Sequence, residues 1–209
     1  MAKRAAPEVN AGSMADIAFL LLIFFLVTTT IEKDSGLNRK LPPIDDSEVE
    51  PPVIKQKNIF TVLLNKHDQL FVEDEVMELK DLRQAAVEFL DNGGGTDANG
   101  NKCDYCEGKK DEASSDHPDK AIISLKNDRE TSYSAYISVQ NELVAAYNEL
   151  RNRRALQLGP QKGFPDMDFI KMQANHKDVR WNGSKEKLKE VIDQIKLEFP
   201  QKLSEVVGS

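Results

Sequence analysis

A single carboxyl group lies within the most apolar stretch of the sequence. Residues 11–31 contain 15 hydrophobic residues out of 21 and one charged residue, Asp16. An ionisable side chain inside a membrane helix costs roughly 2.5–3.5 kcal/mol on insertion scales, so a plain anchor has no reason to keep it. Apolar surroundings disfavour the charged form of a carboxyl, which suits the group to bind and release a proton. We expect Asp16 to carry protons.

The residues that follow Asp16 at helical spacing define one face of the predicted helix. Leu20, Ile23, Val27 and Thr30 lie four, seven, eleven and fourteen residues after it, so all five share a stripe. A single helix cannot form a proton path by itself. We therefore expect this stripe to contact helices of a partner protein.

The two cysteines form a C-x-x-C pair, Cys103 and Cys106, in a polar stretch. One such pair is half of a four-ligand zinc site, with His117 as a conceivable third ligand, and no second pair exists. A thioredoxin-like role would need a βαβ context that is absent. Asp97 begins a run that resembles a calcium loop, but Gly108 stands where the closing glutamate belongs. A local disulfide is the favoured interpretation, and we expect neither metal nor cofactor.

The composition excludes several classes of protein. The chain has 209 residues, with 28 Lys and Arg against 35 Asp and Glu, which gives a net charge of −7. An acidic chain without basic clusters is not a general nucleic-acid binder. The sequence has no P-loop, no G-x-S-x-G and no H-E-x-x-H motif. His67 lies in a predicted turn and is interpreted as a solvated side chain. We therefore expect a protein that is not an enzyme.

The apolar stretch predicts a transmembrane helix over residues 12–31, since about 20 residues are needed to cross the hydrocarbon core. Lys3 and Arg4 precede it, and the positive-inside rule then places the N-terminus in the cytoplasm and the rest of the chain outside. A cleaved signal peptide is the alternative, because the basic start and the 11-residue apolar run from Ile17 to Val27 fit one. No small-x-small cleavage site follows Val27, however.

Beyond the span, the pattern predicts a linker and one domain. Residues 32–57 are rich in proline and acidic residues and predict an extended, semi-stiff linker. Residues 91–120 carry eight acidic residues against four lysines and few apolar residues, which predicts a mobile acidic loop. The remaining elements expected in residues 58–209 are strands at 59–64, 70–72 and 121–126, and helices at 79–90, from about 133, and after the N-cap Ser184 up to Pro200. Residues 156–183 predict no regular element, and Trp181 is interpreted as a core residue rather than a partner contact.

The sequence resembles the ExbD/TolR family of biopolymer transport proteins. The run from Met14 to Thr28, MADIAFLLLIFFLVT, is similar to the family's transmembrane signature with its early aspartate. The segment LNRKLPP, residues 37–43, resembles the Leu-Pro element that starts the family's linker. The order of strands and helices up to about residue 155 is similar as well, whereas residues 91–120 and 156–209 form a longer loop and a longer C-terminal extension than the compact members have.

The resemblance implies an α+β fold: a single N-terminal transmembrane helix, an extended linker, and a small periplasmic α/β domain with helices packed on a short sheet. It implies a cytoplasmic N-terminus at 1–11, the span at 12–31, the linker at 32–57 and the periplasmic domain at 58–209, in the inner membrane of the cell.

The resemblance also implies a function. The family works with an ExbB/TolQ-like polytopic subunit that forms a ring around two ExbD-like chains, and proton flow through the aspartate drives a TonB-like or TolA-like protein. Asp16 would then be the proton carrier of an ExbD-like motor subunit. The alternatives are a TolR-like subunit that serves envelope integrity and a membrane-tethered binding module without proton transport. A flagellar stator subunit also has an aspartate in a single span, but residues 156–209 are too short for its peptidoglycan-binding domain.

Overall fold

The computed structural model of the chain describes residues 11–28 and 54–207. These residues belong to two compact units, one within residues 1–50 and one within residues 51–209, and each is described by itself. Most of the predicted linker, together with residues 29–31 of the predicted span, lies outside the described residues.

The first unit contains one helix, α1, at Ala11–Thr28. Its apolar residues have no period, so the helix is hydrophobic all round rather than amphipathic. The exposed fractions of its large hydrophobic side chains from Met14 to Phe25 are between 42% and 61%. Among the described residues, no helix is long and apolar enough to cross a membrane, which differs from the span predicted over residues 12–31.

The second unit is an α+β domain built on a five-stranded sheet, in agreement with the predicted fold class. A 3-10 helix at Gln56–Asn58 precedes it. The strands are β1 (Ile59–Leu64), β2 (Leu70–Val72), β3 (Glu75–Val76), β4 (Ile122–Asn127) and β5 (Leu203–Val207), and the helices are α2 (Leu79–Leu90), α3 (Tyr133–Lys162), α4 (Phe169–Lys177) and α5 (Lys185–Glu198). The strand order is β3-β2-β1-β4-β5.

The sheet is mixed, because hairpins and crossovers both contribute to it. β1, β2 and β3 pair antiparallel along the chain, with Val62 opposite Val72. β4 and β5 pair parallel to their neighbours, with Val62 opposite Leu125. Alternate residues of β1 and β4 are buried, which places one face of the sheet against a hydrophobic core. The predicted hairpin, the predicted helix at 79–90 and the next strand are confirmed.

Two hydrophobic cores lie along one long helix. The first half of α3, from Val139 to Leu150, packs with the sheet and α2, and Ser132 caps its start by accepting a hydrogen bond from the Ala135 N–H at 3.3 Å. The second half contributes Ala155 and Leu158 to a separate core formed with α4 and α5. α3 therefore contributes to both cores and connects them.

The interpretation of residues 156–183 as irregular is wrong. α3 continues to Lys162, with Pro160 in its last turns, and α4 follows at Phe169–Lys177. A Cβ atom at Gly159 would lie 2.5 Å from the Phe164 carbonyl oxygen, so glycine permits the close approach of the returning chain. Gly163 adopts a φ of 87° and ends the helix in the left-handed conformation that glycine favours.

The prediction of a mobile acidic loop over residues 91–120 is also wrong, because the segment packs on the domain. Asn92 is buried, and its side-chain amide donates to the Asp111 and Ser115 carbonyl oxygens at 2.8 Å each. Its side-chain oxygen accepts from the Asp111 N–H at 2.9 Å. The segment is therefore held by hydrogen bonds around the buried Asn92, and these bonds offset the cost of removing its polar groups from water. Hydropathy cannot detect this kind of packing.

Candidate functional site

Asp16 lies in the second turn of α1, and its side chain is exposed in the described chain. Leu20 and Ile23 follow in the same helix at i+4 and i+7, so the three side chains share a face by helical geometry. Both hydrophobic side chains are exposed as well. The side chain of Val27 and all of Thr30, the other two members of the predicted stripe, lie outside the described residues.

The large exposed apolar surface of α1 requires a covering. Soluble monomers rarely expose apolar side chains in contiguous groups of this size. A helix that is hydrophobic all round is stable only within lipid or within a protein core. Asp16 is the one ionisable group in the described helix.

The second unit holds the incoming linker with a charged cluster, which we name the linker clamp and define as Lys55, Lys57, Asn58 and Asp116. The Lys57 ammonium lies 2.7 Å from the Asp116 carboxylate, and the Lys55 ammonium lies 3.3 Å from it. The Asn58 side-chain amide donates to the same carboxylate at 3.2 Å. In return, the Asn58 side-chain oxygen accepts from the Asp116 N–H at 2.8 Å.

The electrostatics of the linker clamp favour the ionised carboxylate. Only 7% of the Asp116 side chain is exposed. Burial by itself raises the pKa of the Asp116 carboxyl, but hydrogen bonds from Lys57, Asn58 and Lys55 outweigh it and lower the pKa to about 2. The clamp thus joins the first residues of the domain to the C-terminal part of the 91–120 segment.

A second ion pair fastens the other end of that segment to α3. Arg153 donates two hydrogen bonds to the Asp91 carboxylate, at 2.8 and 2.5 Å, and Asp91 is buried. This two-bonded geometry is the strongest form of a charged hydrogen bond. The hydrogen bond to Asp91 raises the pKa of the Arg153 guanidinium, while burial partly opposes it. Glu107 lies 3.4 Å from the same guanidinium.

Cys103 and Cys106 form a disulfide with a Cα–Cα distance of 5.5 Å, and both are buried. Tyr105 between them packs edge-on against Phe199 at a centroid distance of 5.3 Å. Its hydroxyl donates to the Glu198 carbonyl oxygen at 3.0 Å, and burial raises its pKa. The disulfide-bonded turn therefore packs on the end of α5, where the chain turns into β5.

Within the described residues, the candidate metal ligands are not gathered at one centre. His67 is exposed in the turn between β1 and β2, as expected. His117, the candidate third zinc ligand, pairs through Nδ1 with the Asp119 carboxylate at 2.7 Å. Asp97 uses its carboxylate to accept the Asn99 and Asn101 N–H groups. No group of three or more potential ligands is arranged for a metal ion in the described part of the chain.

The domain also has an open groove beside α2. A groove of about 1100 Å³ runs between α2, the start of β1 and residues 107–114 of the packed segment. Its lining includes Phe60 and Phe89, whose rings lie 5.1 Å apart, together with Glu88, Lys109 and Arg153. At the two ends of the sheet order lie β3 and β5.

The residues of the linker clamp and the Arg153–Asp91 pair were not predicted from the sequence. Each pair is separated by about 60 positions, so no local spacing points to it. The sequence offered one hint of the clamp, which is that Lys55 and Lys57 lie just before the first strand. The structure brings these residues together, whereas Asp16 and its helical face belong to the other unit.

Comparison with known proteins supports the resemblance. No curated protein gives a significant match. A family model described as "Biopolymer transport protein ExbD/TolR" matches residues 2–153, nearly three quarters of the chain. The match includes α1 with Asp16 and the domain up to Arg153. The chain therefore belongs to the ExbD/TolR family of biopolymer transport proteins.

Proposed function

We propose that the chain is the ExbD-like subunit of a proton-driven motor in the inner membrane, which energises a TonB-like protein for outer-membrane transport. The observation that carries the proposal is the family match over residues 2–153, because it includes both α1 and the domain. Membership of this family implies a membrane-associated protein that takes part in transport rather than in an enzymatic reaction.

Asp16 is the proposed proton carrier. It is the one charged group of an 18-residue helix whose other side chains are mostly apolar. In contact with apolar partner helices the carboxyl is stable when neutral, and it returns to the charged form where water or a basic partner group is accessible. Alternation between these forms moves α1 relative to its partners. We assign the partner contact to the face of Leu20, Ile23, Val27 and Thr30.

The proposed partners follow from the family. An ExbB/TolQ-like polytopic subunit surrounds the helices of two copies of this chain, and a TonB-like or TolA-like protein receives the motion. With the N-terminus in the cytoplasm, residues 32–57 link the span to a periplasmic domain. The sheet can accept an extended segment of the partner at a strand edge, a common mode of peptide recognition.

The linker clamp supports the proposed transfer of motion from the membrane helix, through the linker, to the domain. A pull on the linker reaches the domain at Lys55, Lys57 and Asn58, which hold Asp116. Through the packed segment the load passes to the Asp91–Arg153 pair and thus to α3. Since α3 contributes to both cores, a local pull would move the domain as one body.

Two alternatives have different consequences. A TolR-like subunit would use the same proton chemistry but serve envelope integrity, so its loss would cause leakage of the envelope rather than failure of nutrient uptake. A membrane-tethered binding module would not need Asp16 at all.

The test compares Asp16→Asn with Asp16→Glu in cells that depend on the transport system. We expect Asp16→Asn to abolish energised uptake while the ring subunit still co-purifies with the chain. Asp16→Glu keeps an ionisable group and should retain part of the uptake. Normal uptake with Asp16→Asn would overturn the proton-carrier role and favour the binding module.

A further inference from the structure

The turn between α4 and α5 concentrates positive charge on an acidic protein. Residues 176–189 contain five basic and two acidic residues, a net charge of +3 with His176 neutral, whereas the whole chain carries −7. We define the basic tip as Lys177, Arg180, Lys185, Lys187 and Lys189, with Val179 between the first two in the sequence. Four of the five basic side chains are exposed, and Lys185 is half-buried.

The charges of the basic tip do not stabilise the fold through ion pairs. Within the described residues, none of the five makes an ion pair with a carboxylate. Nearby cations behave differently: Arg154 pairs with Glu198 at 2.5 Å, and Lys171 lies 3.7 Å from Asp168. The positive charge of the tip is therefore available to an external anion.

An exposed apolar side chain lies between two of these cations in the sequence. Val179 is 89% exposed, the largest exposed fraction among the large hydrophobic side chains described. The turn that presents it is held in place, because the Asp178 carboxylate accepts the Arg180 N–H at 2.9 Å. Trp181 packs on Phe164 with ring centroids 6.1 Å apart. A Cβ atom at Gly183 would lie 2.2 Å from the indole, so only glycine permits this packing.

An exposed apolar residue next to cations without ion pairs in the described chain matches the chemistry of an anionic bilayer surface. Lysine and arginine are attracted to anionic headgroups, and an apolar tip gains from burial at the acyl boundary. We propose that the basic tip docks on a membrane surface that carries anionic phospholipid headgroups. The inference rests on the proposed membrane attachment, because a tether of 25 residues between Thr28 and Ile54 keeps the domain close to a bilayer.

Trp181 provides a specific reporter of this contact, because it is the only tryptophan of the chain. The full chain is reconstituted into vesicles of phosphatidylglycerol and phosphatidylcholine, with brominated acyl chains as quenchers of indole fluorescence. Alkaline extraction reports separately whether the chain is inserted. The same chain in pure phosphatidylcholine vesicles, and in high salt, sets the baseline.

We expect quenching of Trp181 in the anionic vesicles and its loss in zwitterionic vesicles or in high salt. The variant Lys177→Glu/Arg180→Glu should reduce the ratio of docked to undocked molecules by at least about 25-fold, since each basic residue near the surface contributes roughly fivefold. The control Lys66→Glu/Arg129→Glu makes the same change of charge at exposed positions outside the tip and should leave quenching unchanged. Circular dichroism confirms that both variants are folded.

Three results would overturn the inference. Equal quenching in both kinds of vesicle, or equal loss in both double variants, would exclude specific docking of the tip. In the third result, the chain is inserted but Trp181 is not quenched, and the tip binds an anionic glycan added to the same vesicles. The ligand of the tip would then be that glycan and not the bilayer. Each of these leaves the proposed motor function intact, whereas a chain that alkaline extraction removes from the vesicles would contradict the membrane attachment as well.

Discussion

We predict that the unfolding free energy of the domain depends on the charge of one buried carboxylate in the linker clamp, that of Asp116. The substitution Asp116→Asn keeps the shape of the side chain and removes its charge. The pKa of Asp116 is lowered from 3.8 to about 2, a shift that corresponds to roughly 2–3 kcal/mol of unfolding free energy. The Lys55 and Lys57 side chains are 66% and 28% exposed, and solvent screening around them reduces the expected loss to about 1–2 kcal/mol.

The sign of the pH dependence follows from the lowered pKa. Because the folded state holds the proton less tightly than the unfolded state, the carboxylate stabilises the fold fully above about pH 4. This contribution falls as the pH drops from about 4 towards 2. We therefore expect the difference in stability between the wild-type protein and Asp116→Asn to be largest near neutral pH and to vanish near pH 2.

The assay is urea unfolding of the detergent-solubilised full chain, followed by circular dichroism at several pH values. Asp104→Asn is the matched control, because it makes the same chemical change at an exposed carboxylate of the same segment. The control should lie within about 0.5 kcal/mol of the wild type. Equal stability of the two variants, or a difference that persists unchanged at pH 2, would refute the assignment of the clamp.

Three further variants test the packing of the domain. Replacement of Cys103 and Cys106 by serine should lower the unfolding free energy by about 2 kcal/mol for so short a loop, and a reducing agent should destabilise the wild type but not this variant. Arg151→Lys should cost about 1–2 kcal/mol, because lysine cannot repeat the two hydrogen bonds at 3.0 and 2.8 Å to the Phe199 carbonyl oxygen; Arg151→Lys as stable as the wild type in urea would contradict this. Leu188→Ala, in the second core, should cost about 2–5 kcal/mol and keep a single unfolding transition, and two separate transitions would show that the cores are independent.

The parts of the fold that were predictable have local patterns of hydrophobicity. The strands β1 and β2, with an intervening turn at residues 65–69, alternate or cluster their apolar residues in short runs. The helices α2 and α5 each bury one stripe at helical spacing. Ser184 was recognisable as a cap because a hydroxyl before a helical run accepts an early N–H.

The parts that were not predictable depend on contacts between distant residues. Gly159 and Pro160 normally signal the end of a helix, yet α3 continues to Lys162 because the Phe164 backbone packs against Gly159. Asn92 and Asp116 order a segment of low hydropathy through hydrogen bonds that span 19 to 58 positions. Asp16 was proposed as a site residue because a single charge in an apolar run is a local signal, whereas the linker clamp has no such signal.

The central claim is that protons cross the membrane through Asp16, and proton flux measures it directly. The full chain is reconstituted with its ring subunit in vesicles that contain a pH-sensitive dye, and a potential is imposed with potassium and valinomycin. We predict that the wild-type complex acidifies or alkalinises the lumen according to the sign of the potential. Asp16→Asn should abolish this proton flux while the complex stays assembled, and Asp16→Glu should retain part of it. An unchanged flux through the Asp16→Asn complex would contradict the account.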